Sequence, residues 1–245
     1  RFINEAKAMG IEVLPPDVNE SQLDFSVTDA KIRFGLAASK GVGAGVIETI
    51  LEARASGPFK SLYDFCSRVD LKRINKRTIE ALVRSGAFDA VGPASESRYI
   101  GDHCDARARM FAALPKAVER GQKAQHDKEV GQSSLFGMFA PAKLEEILED
   151  TYPDASAWSD KELLQHERTL IGFYVTGHPL DRFEDEISIY GATPTTDITN
   201  CRLNYRDDVT IAGVISEYRE RPLKSGKGRM AFLTLEDKTG QCEVL

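Results

Sequence analysis

The chain has 245 residues, of which 42% are apolar, 29% charged and 8% aromatic, with a formal charge of -6. This composition fits one large or two modest globular domains and excludes wholesale disorder. No apolar run approaches the roughly 18 residues that cross a bilayer, and Arg1 to Lys7 lack the apolar stretch of a signal peptide, so a cytoplasmic protein is expected. Cys66, Cys104, Cys201 and Cys242 lie far apart with no C-x-x-C pair, which speaks against a zinc knuckle or a disulfide framework and for reduced thiols. The chain begins without Met and ends at Cys242-Glu243-Val244-Leu245 inside a strand-like pattern, so both ends read as internal to a longer polypeptide.

Residues 1–30 read as the end of a helix closing at Gly10, a turn at Pro15-Pro16-Asp17-Val18-Asn19, and the start of a hairpin. The hairpin pairs Asp24 to Val27 with Lys31 to Leu36 around Thr28-Asp29. Helical spacing predicts Val46 to Ala55, Ser61 to Val69 and Asn75 to Arg84, short helices with glycine corners. Ser95 to Arg120 carries Tyr99, His103, Ala106, Met110, Leu114 and Ala117 at helical spacing, and Pro115 should kink or split it. The cluster Leu135-Phe136-Gly137-Met138-Phe139 reads as a loop. Leu144 to Thr169 is again helical and acidic, and Ile171 to Leu180 is a shaped turn. From Val209 the period changes to two; Met230 to Leu235 gives a second strand and Gln241 to Leu245 begins a third. The expected class is therefore α+β and multi-domain, mainly helical and then opening a small antiparallel barrel.

Charge divides the chain. Lys31 to Arg84 holds eleven bases and five acids, a balance of +6, which leaves -12 for the remainder. Between Lys143 and Arg168 eight acids face three bases. A basic module can meet phosphates through counterion release, whereas an acidic stretch suits a spacer or a protein-facing surface.

Gly41-Val42-Gly43-Ala44-Gly45 invites a dinucleotide-fold reading, with Asp64 where a ribose-binding acid would fall. That unit needs a buried strand before the glycines and another ending at the acid, but Asp64 lies in Ser-Leu-Tyr-Asp-Phe-Cys, which has helical spacing. A helix-hairpin-helix fits better. Its glycines turn the backbone tightly and present bare N–H groups at the start of a helix, where they and the helix dipole suit a phosphate oxygen. Lys40 stands beside the turn, and Val42 anchors it in the core. A weaker second copy spans Asn75 to Gly92, with Ser85-Gly86-Ala87-Phe88-Asp89 in the turn. The expected duplex-binding set is Lys40, Gly41, Val42, Gly43, Lys76, Arg77, Arg84, Ser85 and Gly86, reading backbone and not bases.

These residues resemble a family, the alpha subunit of bacterial DNA polymerase III. The resemblance is carried in order by Met9-Gly10-Ile11 through Pro15-Pro16-Asp17-Val18-Asn19, Phe34-Gly35-Leu36 through Lys40-Gly41-Val42-Gly43, Ser85-Gly86-Ala87-Phe88-Asp89, Thr176-Gly177-His178-Pro179, and Thr234-Leu235-Glu236-Asp237-Lys238-Thr239-Gly240. It implies the end of the fingers at 1–30, a tandem helix-hairpin-helix at 31–92, the helical remainder of a clamp-binding domain at 93–180, and the start of an OB-fold at 181–245. It implies DNA-directed DNA polymerase activity for the parent, with Mg2+ held by palm carboxylates upstream of Arg1. This stretch should carry no cofactor and no polymerase activity alone.

Gln132-Ser133-Ser134-Leu135-Phe136 resembles the family's sliding-clamp peptide, with Gln132, Leu135 and Phe136 as contacts. Burial of the two apolar side chains would contribute roughly 3 to 6 kcal/mol gross, less the cost of ordering the loop. Arg219-Glu220-Arg221-Pro222-Leu223-Lys224-Ser225-Gly226-Lys227-Gly228-Arg229 carries five bases against one acid. It reads as a mobile OB-fold loop in which Arg219, Arg221, Lys224, Lys227 and Arg229 meet single-stranded template, with Tyr218 and Phe232 near enough in sequence to stack on bases. Phe232 reads first as core. His103, Cys104 and Asp105 are helix neighbours about 100° apart and cannot converge on one ion. His178 reads as structural, and His126 and His166 have no evident partner in sequence. The competing reading is a free-standing repair or recombination module that also combines hairpins with an OB element.

Overall fold

The computed structural model describes residues 3, 5–6, 9–93, 99–129, 150–200, 208–223 and 228–245. It contains two compact units, one formed by Glu12–Thr176 and the other by Arg1–Ile11 with Gly177–Leu245.

The first unit opens with a three-stranded sheet of order β1-β3-β2, where β1 is Val13–Leu14, β2 Ser26–Thr28 and β3 Lys31–Arg33. The expected β2–β3 hairpin is present and antiparallel, with Val27 opposite Ile32. Asp29 and Ala30 turn it with φ of 51° and 59°, the twist a two-residue hairpin needs. The parallel pairing of β1 with β3 was not legible, because two residues leave no period.

Four helices follow and build the core: α1 Ala44–Arg54, α2 Leu62–Arg68, α3 Lys76–Arg84 and α4 Ile100–Glu129. Ser61 and Asn75 cap α2 and α3, their side chains accepting from the N–H of Asp64 and Thr78, so each helix starts where the sequence supplies a cap. The apolar faces meet in one cluster that includes Ile47, Ile50, Phe65, Ile79, Leu82, Phe88, Met110 and Leu114. Phe65 bridges two rings, with centroids 4.9 Å from both Phe59 and Phe88.

The alternative that Pro115 splits the helix is overturned, because α4 runs on through that residue. Pro115 is exposed, while Met110, Ala113, Leu114 and Ala117 are fully buried around it. Packing on the core side therefore offsets the one backbone hydrogen bond that proline cannot donate. Farther along, Gly121 lets α4 close on α2: a Cβ there would stand 2.2 Å from the Cys66 carbonyl oxygen. Gln125 then donates to the Cys66 and Val69 carbonyls at 3.2 and 2.6 Å.

The helix read from Leu144 begins only at Asp160 among the described residues, as α5 Asp160–Leu170. Residues 150–159 are not helical. The start is set by a capping box, in which Ser159 and Glu162 satisfy each other's backbone N–H groups.

In the second unit, the short helices α6 Glu184–Ile189 and α7 Thr195–Thr199 precede a three-stranded antiparallel meander of β4 Val214–Pro222, β5 Arg229–Glu236 and β6 Gln241–Val244. The first strand begins at Val214 and not at Val209. The Thr210 carbonyl is instead taken by the Thr193 N–H at 2.7 Å, so 209–213 runs past the turn before α7. Asp237 ties the β5–β6 turn to α7, accepting from the N–H and hydroxyl of Thr195 and from the N–H groups of Thr239 and Gly240. Burial pushes its carboxyl up, but these hydrogen bonds outweigh burial and hold it below the usual range. The class is mixed α+β, helical hairpins followed by strands of the kind that open an OB-fold.

Candidate nucleic-acid interface

The Ser39 to Gly45 corner is built as the glycine spacing requires. A 3-10 turn, Leu36–Ala38, feeds it, and Gly41 takes φ 90°, the left-handed region that favours glycine. Val42 is 6% exposed and packs in the core, while Lys40, Gly41, Gly43, Ala44 and Gly45 are exposed. Gly43 is the N-cap of α1 and offers no capping side chain. A Cβ at Gly41, Gly43 or Gly45 would meet nothing within 4 Å. The Val46 N–H turns back to the Gly43 carbonyl at 3.0 Å, but the Ala44 and Gly45 amides of α1 have no side-chain cap and stand near Lys40 in the sequence, which is the chemistry of an anion-receiving helix start.

The second turn lies against the first. The buried Ser39 hydroxyl is 3.4 Å from the Ser85 hydroxyl, and Thr78 reaches the Gly41 carbonyl at 3.4 Å. Lys40, Gly41, Arg77, Thr78, Ala81 and Arg84 line a common cleft. Of the expected duplex-binding residues, Lys40, Gly41, Gly43, Lys76 and Arg77 are thus on the surface, and Arg84 is half-buried. Lys76 leans toward Glu80, 3.9 Å away. Ser85 and Gly86 are buried: the Ser85 hydroxyl donates to the Leu82 carbonyl at 3.0 Å, and a Cβ on Gly86 would lie 2.4 Å from the Arg107 guanidinium. These two shape the turn from inside.

The guanidinium behind Gly86 belongs to a buried ionic group that sequence reading missed. Arg107 is 1% exposed and Glu167 fully buried. Arg107 donates to Asp89 at 2.9 and 2.6 Å, to Glu167 at 2.9 Å and to the Thr176 hydroxyl at 3.0 Å. Glu167 also accepts from the Val175 and Thr176 N–H groups at 2.7 and 3.1 Å, and His103 stands 3.3 Å from Asp89. Burial pushes the Asp89 carboxyl up, but Arg107 and His103 more than reverse it and hold it below the usual range. The group fastens the second turn to α4 and α5. Its signal in the sequence was an arginine at core spacing, between His103 and Met110 on the packed stripe of α4.

The strand region departs from expectation. Arg219, Arg221 and Arg229 lie on β4 and β5 and not in a loop, because cross-strand pairing continues to Pro222 opposite Arg229. Arg219 pairs with Glu217 at 2.6 Å, Arg229 pairs with Glu220 at 3.0 Å, and Arg221 covers the half-buried Phe232 ring at 5.7 Å. Phe232 is thus only half in the core, and the Tyr218 hydroxyl is taken by Glu220. Lys224 and Lys227 lie outside the described residues, as do Gln132, Leu135 and Phe136.

Of the histidines, the His178 ring nitrogen accepts from the Leu180 N–H at 3.2 Å, and His166 does have a partner, the edge-on Trp158 ring at 4.6 Å. Among the described residues no three His, Cys, Asp or Glu side chains are grouped to hold a metal ion, and no helix is long and apolar enough to cross a membrane.

Two turns of this kind, set side by side on one helical core, make the first unit a helix-hairpin-helix protein, and a family model described as "Helix-hairpin-helix motif" matches residues 10–98. Along its whole length the chain is also similar to named proteins. It is 39% identical to the DNA polymerase III subunit alpha of Vibrio cholerae over 252 residues, covering 100% of this chain and 20% of the relative. The Pseudomonas fluorescens subunit is 38% identical, over 99% of this chain and 20% of the relative, and that of Escherichia coli K12 34% identical, over 100% and 20%. Over its full length the chain is thus homologous to an internal stretch of DNA polymerase III alpha subunits, and it spans about one fifth of the length of the curated relatives it matches.

Proposed function

We propose that this chain is the part of a replicative DNA polymerase that grips duplex product behind the active site and tethers the enzyme to its sliding clamp. The observation that carries the duplex reading is the Lys40 to Gly45 turn. Its backbone is open to approach, its helix start is uncapped, and a lysine stands beside it. A helix start held rigid by Val42 binds phosphate without reading bases. On this reading Lys40, Gly41 and Gly43 meet one strand, and Lys76, Arg77 and Arg84 add positive charge, with Val42, Ser85 and Gly86 setting the turns. In the parent enzyme, carboxylates outside this stretch would hold the metal ions for nucleotidyl transfer, and no catalytic role is proposed for the residues of this chain.

Clamp tethering rests on Gln132, Leu135 and Phe136 and on the homology with the alpha subunits. A peptide with two apolar anchors binds weakly and exchangeably, and a ring encircling DNA turns that weak hold into processivity by raising effective concentration. Arg219, Arg221, Lys224, Lys227 and Arg229 are proposed to contact single-stranded template, in company with strands that open an OB-fold. The free-standing repair module is disfavoured by full-length similarity to polymerase subunits.

The test has two arms. Titration with two duplexes of unrelated sequence should give equal affinities that fall together with salt; a strong preference for one would refute backbone binding. Titration with a bacterial clamp should give micromolar or tighter binding, weakened about a hundredfold by Leu135→Ala with Phe136→Ala, or about 2.7 kcal/mol. Equal binding by the double variant would refute the peptide assignment.

A further inference from the structure

The second unit holds an apolar cavity whose residues serve neither the duplex nor the template reading. It encloses about 160 Å³, with Leu180, Ile187, Ala192, Pro194 and Ala212 as its apolar walls. A cavity of roughly 150 Å³ lined by apolar side chains accepts a benzene ring, so this one has room for a single aromatic or branched aliphatic side chain. Its walls are tied to one another. The Thr193 N–H donates to the Thr210 carbonyl at 2.7 Å, which joins the turn before α7 to the segment carrying Ala212. Asp237 joins α7 to the β5–β6 turn through Thr195 and Thr239. The cavity is thus set by backbone and side-chain hydrogen bonds in advance of any contact, as binding pockets are.

The mouth is acidic. Glu184 and Lys238 stand at it, and Lys238 is shared between Asp181 at 2.7 Å and Glu184 at 3.3 Å. Asp185 and Glu186 are exposed next to them on α6 and make no ion pair among the described residues. From Asp181 to Tyr190 four acids accompany one base, Arg182, whose guanidinium covers the Phe183 ring 4.5 Å away. The same stretch exposes Phe183, Ile189 and Tyr190, the last two at 80% and 74%. Large apolar side chains exposed among charges mark a surface that meets another protein. The surplus of acid repels nucleic acid and attracts a basic partner.

We propose that this cavity docks a segment of a partner protein in which one aromatic or aliphatic anchor is flanked by lysine or arginine. The anchor enters between Ile187 and Ala212, and the flanking cations meet Asp185 and Glu186. Burial of the anchor supplies most of the affinity, while the charges steer the approach and select the partner. This surface is separate from the residues assigned to DNA and to the clamp.

The whole chain is titrated, by fluorescence anisotropy, with a labelled Lys-Arg-Phe-Arg-Lys peptide, with the same peptide carrying Ser in place of Phe, and with Glu-Glu-Phe-Glu-Glu. The first should bind saturably and shift the Ile187 and Ala212 amide resonances. Loss of the anchor should weaken binding about tenfold or more, and the acidic peptide should not bind. Ala212→Leu fills the cavity, and Asp185→Lys with Glu186→Lys reverses the mouth. Each should weaken the basic peptide about tenfold, with thermal melts showing that the variants are folded. Glu48→Lys with Glu119→Lys makes the same change of charge at exposed positions of the first unit and should stay within about twofold of wild type. Equal binding of the Phe and Ser peptides, equal binding of the acidic peptide, or wild-type binding by both folded variants overturns the proposal. Single-stranded DNA that shifts the Ile187 and Ala212 resonances where the basic peptide does not assigns the cavity to nucleic acid and likewise overturns it. So does a folded chain that binds none of the peptides.

Discussion

Replacing Arg107 by Met tests how the second turn is held. The substitution keeps an unbranched apolar stem and removes the guanidinium that faces Asp89 and Glu167. Removing one partner of a buried ion pair costs about 3 to 5 kcal/mol, because it leaves an uncompensated charge. Glu167 would keep the Val175 and Thr176 amides, and Asp89 is partly exposed, so the lower end, about 3 kcal/mol, is expected. For a unit of this size that is a fall in Tm of about 6 to 12 °C. Trp158 is the chain's single tryptophan and packs 5.9 Å from Phe111 and 4.6 Å from His166. Its fluorescence during urea unfolding therefore reports on this unit. The sign of the pH dependence follows from Asp89, whose carboxyl is held below its ordinary range in the folded chain. Its contribution is complete above the unfolded value of about 4 and is lost as pH falls through the folded value. The gap between wild type and Arg107→Met should close below about pH 4. A loss under about 1 kcal/mol at pH 7, or a gap that widens in acid, would refute the reasoning.

Other substitutions probe separate parts of the account. Gly86→Ala should destabilise strongly, about 2 kcal/mol or more in urea unfolding, because φ is 82° and the Cβ meets Arg107 at 2.4 Å. Gly41→Ala, equally left-handed but in open space, should cost only about 1 to 2 kcal/mol. Burial pushes the Cys66 thiol up to about 12 and that of Cys104 up to about 11. At pH 8 both should resist a thiol reagent until the chain is unfolded, and rapid labelling of the native protein at either position would contradict the packing described. Asp237→Ala removes the acceptor shared by Thr195, Thr239 and Gly240 and should cost about 2 kcal/mol in the second unit. A melt that does not move would show that α7 is held by other means.

What could be read in advance divides along physical lines. Helices α1, α2 and α3 were legible because period, caps and glycine corners agree: Ser61, Asn75 and Gly57 stand where the elements start or stop. The turn around Gly41 was legible because few conformations satisfy three glycines at alternate positions leading into the first turn of a helix. Helix α4 was legible in period, but it is not split at Pro115, where core packing from Met110 to Ala117 keeps the helix continuous past a local breaker. The strand start at Val214 was hidden by the alternation from Val209, which hydrophobic period alone cannot tell from an extended segment. The Arg107 group was illegible as such, since three charges from 89, 107 and 167 meet only through the fold. Arg219, Arg221 and Arg229 were expected in a loop and lie on strands, because pairing to Pro222 is decided by the partner strand.

The central claim is that the start of α1 receives DNA phosphate, and Gly43→Asp tests it most directly. Aspartate is a better N-cap than glycine by a few tenths of a kcal/mol, Gly43 has φ -81° and a Cβ there meets nothing, so the variant should melt no lower than wild type. The same carboxylate would occupy the opening amides and repel a phosphate, so duplex affinity at low salt should fall about tenfold or more. Stability kept with binding lost is the predicted result. Wild-type duplex affinity in a folded Gly43→Asp chain would contradict the account.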